Sequence, residues 1–339
     1  MDASADSEIS WAEYETLLGE MKERGLFGRT YWHYGLCAAF AVLGIAASLY
    51  IVTLTDNALI QFCNAIFFGF CSVQIGMIGH DLSHGEVFKS PGVNRFVSSA
   101  VWGILGGLSE YHWFNKHNRH HTSPNHIGHD PDVDIPFMFT EKQVAAKSAF
   151  LRKWVLPYQH YFFWISFVFL YPWNIFLGMR SILSNLSPRT VTEIFLMVIH
   201  FAVLFFILFA YLPWHIALLF LGTAFIALGI YIGFAFAPNH KGRDELAQNE
   251  TFLWTHQIKL TRNIYPSRLV FFLLGGLNFQ IEHHLFPTMS RLKYWNARPF
   301  IQEFCDAKGL SYHQTSWIGS LVEMHTSLKR EALARRNDR

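Results

Sequence analysis

Residues 58–84 read ALIQFCNAIFFGFCSVQIGMIGHDLSH. The stretch 58–79 contains no Asp, Glu, Lys or Arg. A helix needs roughly 20 apolar residues to cross the hydrocarbon core of a bilayer, so this run is long enough. It passes without a linker into His80-Asp-Leu-Ser-His84, where the i, i+4 spacing places both imidazoles on one helix face. A span that delivers paired histidines at its end points to an all-α integral membrane protein with a metal site at the mouth of a helix bundle.

Three more runs, 31–52, 192–212 and 214–237, are similarly apolar. With 58–79 they make four expected spans in two tight hairpins, joined through TLTDN at 53–57 and the corner at 212–214. Neither connection carries a Lys or Arg, whereas all 27 basic residues fall before 31, in 89–189 or in 241–339. The positive-inside rule then expects those regions, and both termini, on the cytoplasmic side. A fifth run, 161–179, is interrupted by Pro172-Trp173-Asn174, rich in Tyr and Trp, and flanked by Lys153 and Arg180. A single crossing there would put the histidine clusters on opposite sides of the membrane. Parity and the aromatics together expect a helix in the headgroup layer, or one that dips in and returns. Residues 94–108 and 270–279 are expected to be further interfacial pieces. The first thirty residues are polar, lack the apolar core of a signal peptide, and are expected to form a cytoplasmic helix. The expected organisation is a cytoplasmic segment 1–30, a membrane-embedded domain 31–290 bearing a helical cap with a dimetal site, and a cytoplasmic helical tail 291–339.

Composition agrees with a lipid environment. The 339 residues are 51% hydrophobic and only 15% charged, against about 25% charged in soluble chains. A net charge of +2 gives no argument for nucleic acid. Cys37, Cys63, Cys71 and Cys305 form no CxxC pair, and three lie in apolar runs, which excludes a disulfide framework. Histidine stands out, with 18 residues that cluster. After His80 and His84 comes His117-Asn-Arg-His120-His121, and later Gln280-Ile-Glu-His283-His284. Imidazole suits iron, zinc, copper or nickel. Seven clustered histidines exceed the four ligands of one tetrahedral zinc, so two metals are expected.

HDLSH, HNRHH and QIEHH, the last within LNFQIEHHLFP at 277–287, resemble the three histidine boxes of the membrane fatty acid desaturase superfamily. The Gln-first third box is similar to the front-end branch, and the resemblance covers 79–287. It implies a non-haem di-iron centre that uses O2 and two electrons to introduce a cis double bond into a lipid acyl chain. Carried over by position, the ligands are His80, His84, His117, His120, His121, His283 and His284. His240, in Pro-Asn-His at the end of the fourth span, matches a further family ligand. Neighbouring Asn239 is placed to hold a metal-bound water, and Gln280 either faces a metal weakly or orients the site. Asp81, Asp130, Asp132 and Asp134 are candidates to accept the outer N–H of ligand imidazoles. His112, His126, His129 and His256, near the boxes, are read as loop or outer residues. His33, His160, His200 and His215 are read as packing or capping, and His313 and His325 receive no role.

The family often carries a fused cytochrome b5 domain, marked by His-Pro-Gly-Gly, and that string does not occur here. The expectation is a separate electron donor: cytochrome b5, a ferredoxin or a flavin reductase. Lys241, Arg243, Lys259, Arg262, Arg268, Arg291 and Lys293 are the cations expected to meet that donor or anionic headgroups. The acyl substrate is expected as a CoA, carrier-protein or lipid-linked form. Three alternatives remain at this level. Hydroxylases and ketolases of the superfamily share the boxes, and a zinc-dependent membrane hydrolase would need fewer histidines and no electrons. A transporter would place ionisable groups at mid-membrane depth, not at span ends.

Overall fold

Helix α3 (Ala58–Ser83) is the axis of the molecule. In its most apolar 18 residues 56% are buried by protein, against 17% in α2 (Tyr31–Leu54) and 22% in α8 (Pro188–Tyr211), so α3 is enclosed while its neighbours face outward. Asn57 starts it by accepting the Leu59 and Ile60 amides on Oδ1 at 3.1 Å each, the usual task of an N-cap. Its polar side chains are bonded in place: Asn64 donates to the Ser48 carbonyl of α2 at 3.0 Å and Gln61 to that of Thr55 at 2.7 Å. α9 (Trp214–Phe236) packs along the other flank, where Gly69 lies against Ala224 and Ala227. The outward faces remain apolar: Leu36, Leu43, Leu59 and Phe206 are all more than three-fifths exposed. Soluble chains rarely leave such continuous apolar surface uncovered.

The computed structural model describes residues 10–133 and 150–334. Besides the helices above it contains α1 (Trp11–Glu23), α4 (Pro91–Ala100, prolonged by a π turn at Val101–Leu105) and α5 (Glu110–Thr122). Next come α6 (Gln159–Ser166) and α7 (Leu170–Ser184). A cap follows α9, made of α10 (His256–Lys259), α11 (Arg268–Leu273), α12 (Gln280–Leu285), α13 (Tyr294–Lys308) and α14 (Trp317–Ala334). The described strand structure is one short parallel pair, β1 (Asn263–Ile264) with β2 (Gln314–Thr315). The protein is an all-α integral membrane protein with five helical stretches long and apolar enough to cross a bilayer.

The fifth stretch, Lys153–Ser184, does not complete a crossing. Its early part lies on α14, where the Trp164 indole donates to His325 Nδ1 at 3.2 Å. α14 in turn abuts the C-terminal end of α9 through the Trp317 indole, 3.4 Å from the Phe234 carbonyl. A 3-10 turn at Phe167–Phe169 then passes along α9 at Gly229 and Gly233, and Tyr171 meets Phe225 at 4.9 Å. The chain comes back at Gly178, which faces Ser109 at the start of α5, and α8 begins at Pro188 on that same end. Both ends of the segment are therefore at one end of the bundle. It dips in and returns, in line with the parity argument.

Gly229 and Gly233 allow the close approach. A Cβ on Gly233 would sit 2.4 Å from the Phe167 ring, and one on Gly229 would sit 2.3 Å from the Phe167 carbonyl oxygen. Gly233→Leu is therefore expected to destabilise the bundle by about 1–3 kcal/mol, the usual cost of overpacking. Thermal unfolding of the detergent-solubilised protein measures this; an unchanged midpoint would show that the segment can slide off α9 freely.

Candidate metal centre

Four elements deliver the histidines. The last turn of α3 carries His80 and leads to His84; α5 carries His117, His120 and His121; α12 carries His283 and His284; His240 follows α9. α5 is fixed at its start. Ser109 Oγ accepts the His112 amide at 3.1 Å, while the Glu193 carboxylate of α8 accepts Ser109 Oγ–H at 2.8 Å and the Tyr111 amide at 3.1 Å. Arg189 of α8 also pairs with buried Glu110.

The side chains converge as two groups. His80, His84, His117, His121 and His283 form one; His120, His240 and His284 form the other, with potential ligand atoms in each group within 4.8 Å of one another. In the first, His117 Nε2 lies 3.1 Å from both His80 Nε2 and His121 Nε2. In the second, His240 Nε2 lies 3.2 Å from His120 Nε2 and 3.1 Å from His284 Nε2. Two nitrogens that share an ion at about 2.1 Å with a right angle between them lie about 3.0 Å apart.

The outer nitrogens show which way the inner ones face. His80 Nδ1 donates to Asp81 Oδ1 and His120 Nδ1 to Asp130 Oδ2, each at 2.9 Å. His284 Nδ1 donates to Gln257 Oε1 at 2.9 Å, and His283 Nδ1 lies 3.1 Å from the Tyr294 hydroxyl. With the proton on Nδ1, each Nε2 presents a lone pair inward, and facing lone pairs repel unless a cation lies between them. His84 Nε2 and His283 Nε2 are buried with no protein partner among the described residues. Orphaned buried acceptors, nitrogen-only donors and coordination-edge spacing all fit two soft-to-borderline metal ions.

Electrostatics keep six of the donors neutral. Burial, and after it the neighbouring imidazoles, push His84, His117, His121, His240, His283 and His284 well below the ordinary histidine range. His120 goes the other way: burial lowers it, but Asp130 and then Asp132 outweigh that and hold it above its usual value. Neutral imidazole is the ligating form.

Both groups border a cavity of about 280 Å³. His80, His117, His120, His240 and Gln280 line one end, and Met77, Val73, Phe68, Phe225, Leu228 and Phe236 carry its wall down between α3 and α9. From His80 to Phe68 is a dozen residues of helix, a depth of about 18 Å. Indoles brace the metal end: Trp113 stacks on His117 at 4.3 Å and on Trp102 at 4.8 Å.

Set beside known proteins, residues 57–316 match the family model described as fatty acid desaturase. The chain belongs to the fatty acid desaturase family. It is 28% identical over 350 residues to the Delta(8)-fatty-acid desaturase of Borago officinalis, covering 98% of this chain and 77% of that one. It is 30% identical to the Delta(6)-fatty-acid desaturase fat-3 of Caenorhabditis elegans (70% of this chain, 57% of that one). Fatty acid desaturase 3 of Homo sapiens is also 30% identical (78% and 60%). The chain thus spans between 57% and 77% of the length of these relatives. Family and site geometry together make it a membrane desaturase of the oxidoreductase class.

The structure of this desaturase family member places all eight expected ligand histidines in the two groups. Among the outer candidates, Asp81 and Asp130 meet ligand imidazoles directly, while Asp132 lies 3.7 Å from His120 Nδ1 and pairs with Lys116 at 2.5 Å. Gln280 Nε2 is 2.9 Å from His240 Nε2, and its Oε1 accepts Asn239 Nδ2 at 3.2 Å. Asp134 lies outside the described residues. His126 bonds the Ala247 carbonyl at 3.0 Å and packs at a tilt against His129, outside both groups. His200 bonds the Ile104 carbonyl at 2.8 Å.

Sequence reasoning missed Tyr34, Glu86, Gln257 and Tyr294, and it misplaced two cations. Arg262 and Arg291, expected to face a donor or headgroups, are buried. Arg262 Nε donates to the Pro238 carbonyl at 2.7 Å, and Arg291 pairs with Asp81. Their only signal is position: Arg291 sits between Met289 and Leu292, close after the third box.

Asp130 also accepts the Asn125 amide at 2.8 Å, so it fixes a loop as well as a ring. Asp130→Asn is expected to weaken metal retention about 10- to 100-fold. Elemental analysis after dialysis against a chelator reads this, and wild-type retention would sink the orienting role.

Proposed function

We propose that this chain is an O2-dependent fatty-acyl desaturase whose eight histidines hold a non-haem di-iron centre supplied by a separate electron donor. The observation that carries the reading is the union of two all-imidazole groups with the end of a deep apolar cavity. The overall change balances as –CH2–CH2– + O2 + 2 e− + 2 H+ → –CH=CH– + 2 H2O. Bound iron with O2 supplies an oxidant able to take hydrogen from an unactivated methylene, which no side-chain acid or base can do.

The chain's own residues do the rest. Val73, Met77, Leu228 and Phe236 exclude water and hold the methylenes beside His80 and His240. Asp81, Asp130, Gln257 and Tyr294 hold the outer nitrogens of His80, His120, His284 and His283, so those four rings cannot turn. Asn239 and Gln280 border the three-histidine group, where Asn239 Oδ1 is buried with no protein partner among the described residues; this supports a place for a bound water. The metal centre is proposed to face the cytoplasm. The connections at 55–57 and 212–213 lack Lys and Arg and lie at the opposite end of the spans, which agrees with the positive-inside rule. The substrate is proposed as an acyl chain carried on CoA, a carrier protein or a glycerolipid. The Gln-first third box and the Delta(8) and Delta(6) names of the relatives support a double bond toward the carboxyl end.

The test is expression in a desaturase-deficient host, with mass spectrometry of dimethyl disulfide adducts of its fatty acids. A new monoene is expected, and His120→Ala is expected to abolish it. A hydroxylated or keto chain in its place would move the protein to the sister chemistry. Zinc in place of iron in the purified protein would overturn the di-iron reading.

A further inference from the structure

The two histidine groups are braced by different parts of the chain. Outer contacts of the three-histidine group come from Asp130 to His120 and from Gln257 to His284, while Gln280 meets His240 on its inner Nε2. Those of the five-histidine group converge on one buried cluster built around Arg291, which is 4% exposed. The Arg291 guanidinium donates to Asp81 Oδ2 through Nε and to the Met77 carbonyl through Nη2 at 2.7 Å. Its backbone amide donates to Glu86 Oε2 at 3.1 Å. The Tyr34 hydroxyl lies 2.9 Å from Asp81 Oδ2 and 3.0 Å from Glu86 Oε2. Asp81 is thereby held on one oxygen by Arg291 and Tyr34 while its other oxygen receives His80. One turn beyond Arg291, Tyr294 meets His283 and reaches toward Glu86 at 3.5 Å. A segment that follows the third box thus reaches back to a residue inside the first.

We infer that Arg291 is the positioning residue for one metal only, the ion of the five-histidine group, and that the two ions are retained independently. The inference rests on the dimetal reading above. A carboxylate held by two donors cannot rotate away from its imidazole. Once Arg291 is gone, Asp81 is free to turn and His80 loses its fixed direction, which typically costs about 10- to 100-fold in metal affinity. Among the described residues nothing in that cluster bonds Asp130, Gln257 or Gln280, so the other ion has no reason to leave.

The experiment is iron per chain on the purified full-length protein, with 57Fe Mössbauer spectra, before and during a chelator challenge. Wild type is expected to hold two irons. Arg291→Met is expected to fall to about one, Asp130→Asn to about one through the other group, and the double variant to none. Tyr34→Phe keeps the packing and removes a single hydroxyl; it is expected to release one iron faster than wild type and the second at the wild-type rate. Should Arg291→Met not fold, Tyr34→Phe alone decides. Two irons lost together from a variant of unchanged circular dichroism and melting, or two irons kept at the wild-type rate, would overturn independent retention. A wild-type protein with fewer than two irons would instead overturn the dimetal reading itself.

Discussion

Mutual repulsion among eight buried imidazole lone pairs is the constraint on which the rest of this structure depends. With Nε2 atoms 3.1 to 3.2 Å apart and little water between them, the arrangement is unfavourable by itself, and a polar group buried without a partner is costly. Two consequences follow for the fold. Four of the ligand rings, His80, His120, His283 and His284, have an outer partner that holds the proton away from the centre, which explains the Asp, Gln and Tyr just behind them. The four segments that carry the rings must also reach the same end of the bundle, which allows only an even number of complete crossings between them. α8 and α9 supply two, and the apolar stretch Lys153–Ser184 must then return to the side from which it came.

α3 carries the largest share of that constraint. One helix encloses the bundle axis, walls the cavity through Val73 and Met77, and ends in His80 and His84. Side chains three and four apart share a face, so the register that aims His80 at the centre also turns Met77, Gly76 and Val73 along one cavity wall. The cavity and the histidine groups are therefore aligned by helix geometry and need no separate hinge or loop to bring them into line.

Much of this was legible in the amino-acid sequence, and the missing part has a common cause. The spans and the three boxes announce themselves by local periodicity, because twenty apolar residues or an i, i+4 pair is a signal carried within one element. Asp81 and Asp130 were legible for the same reason: each lies within ten residues of the ring it holds. His240 has no local partner, and only its likeness to a family position drew attention to it. Tyr34, Glu86, Gln257 and Arg291 reach their rings across the fold, and a lone tyrosine or arginine has no spacing to read. Arg291 illustrates the failure best. Among seven cations of a basic region it looked like surface charge, and only the packing of α13 against the third box turns it inward.

The returning segment has a consequence for the bilayer itself. Four helices pass through the leaflet remote from the histidines, but the near leaflet must also make room for the dipping stretch Lys153–Ser184 and its Trp- and Tyr-rich flank. The body is therefore broader at one membrane face than at the other, a wedge and not a cylinder.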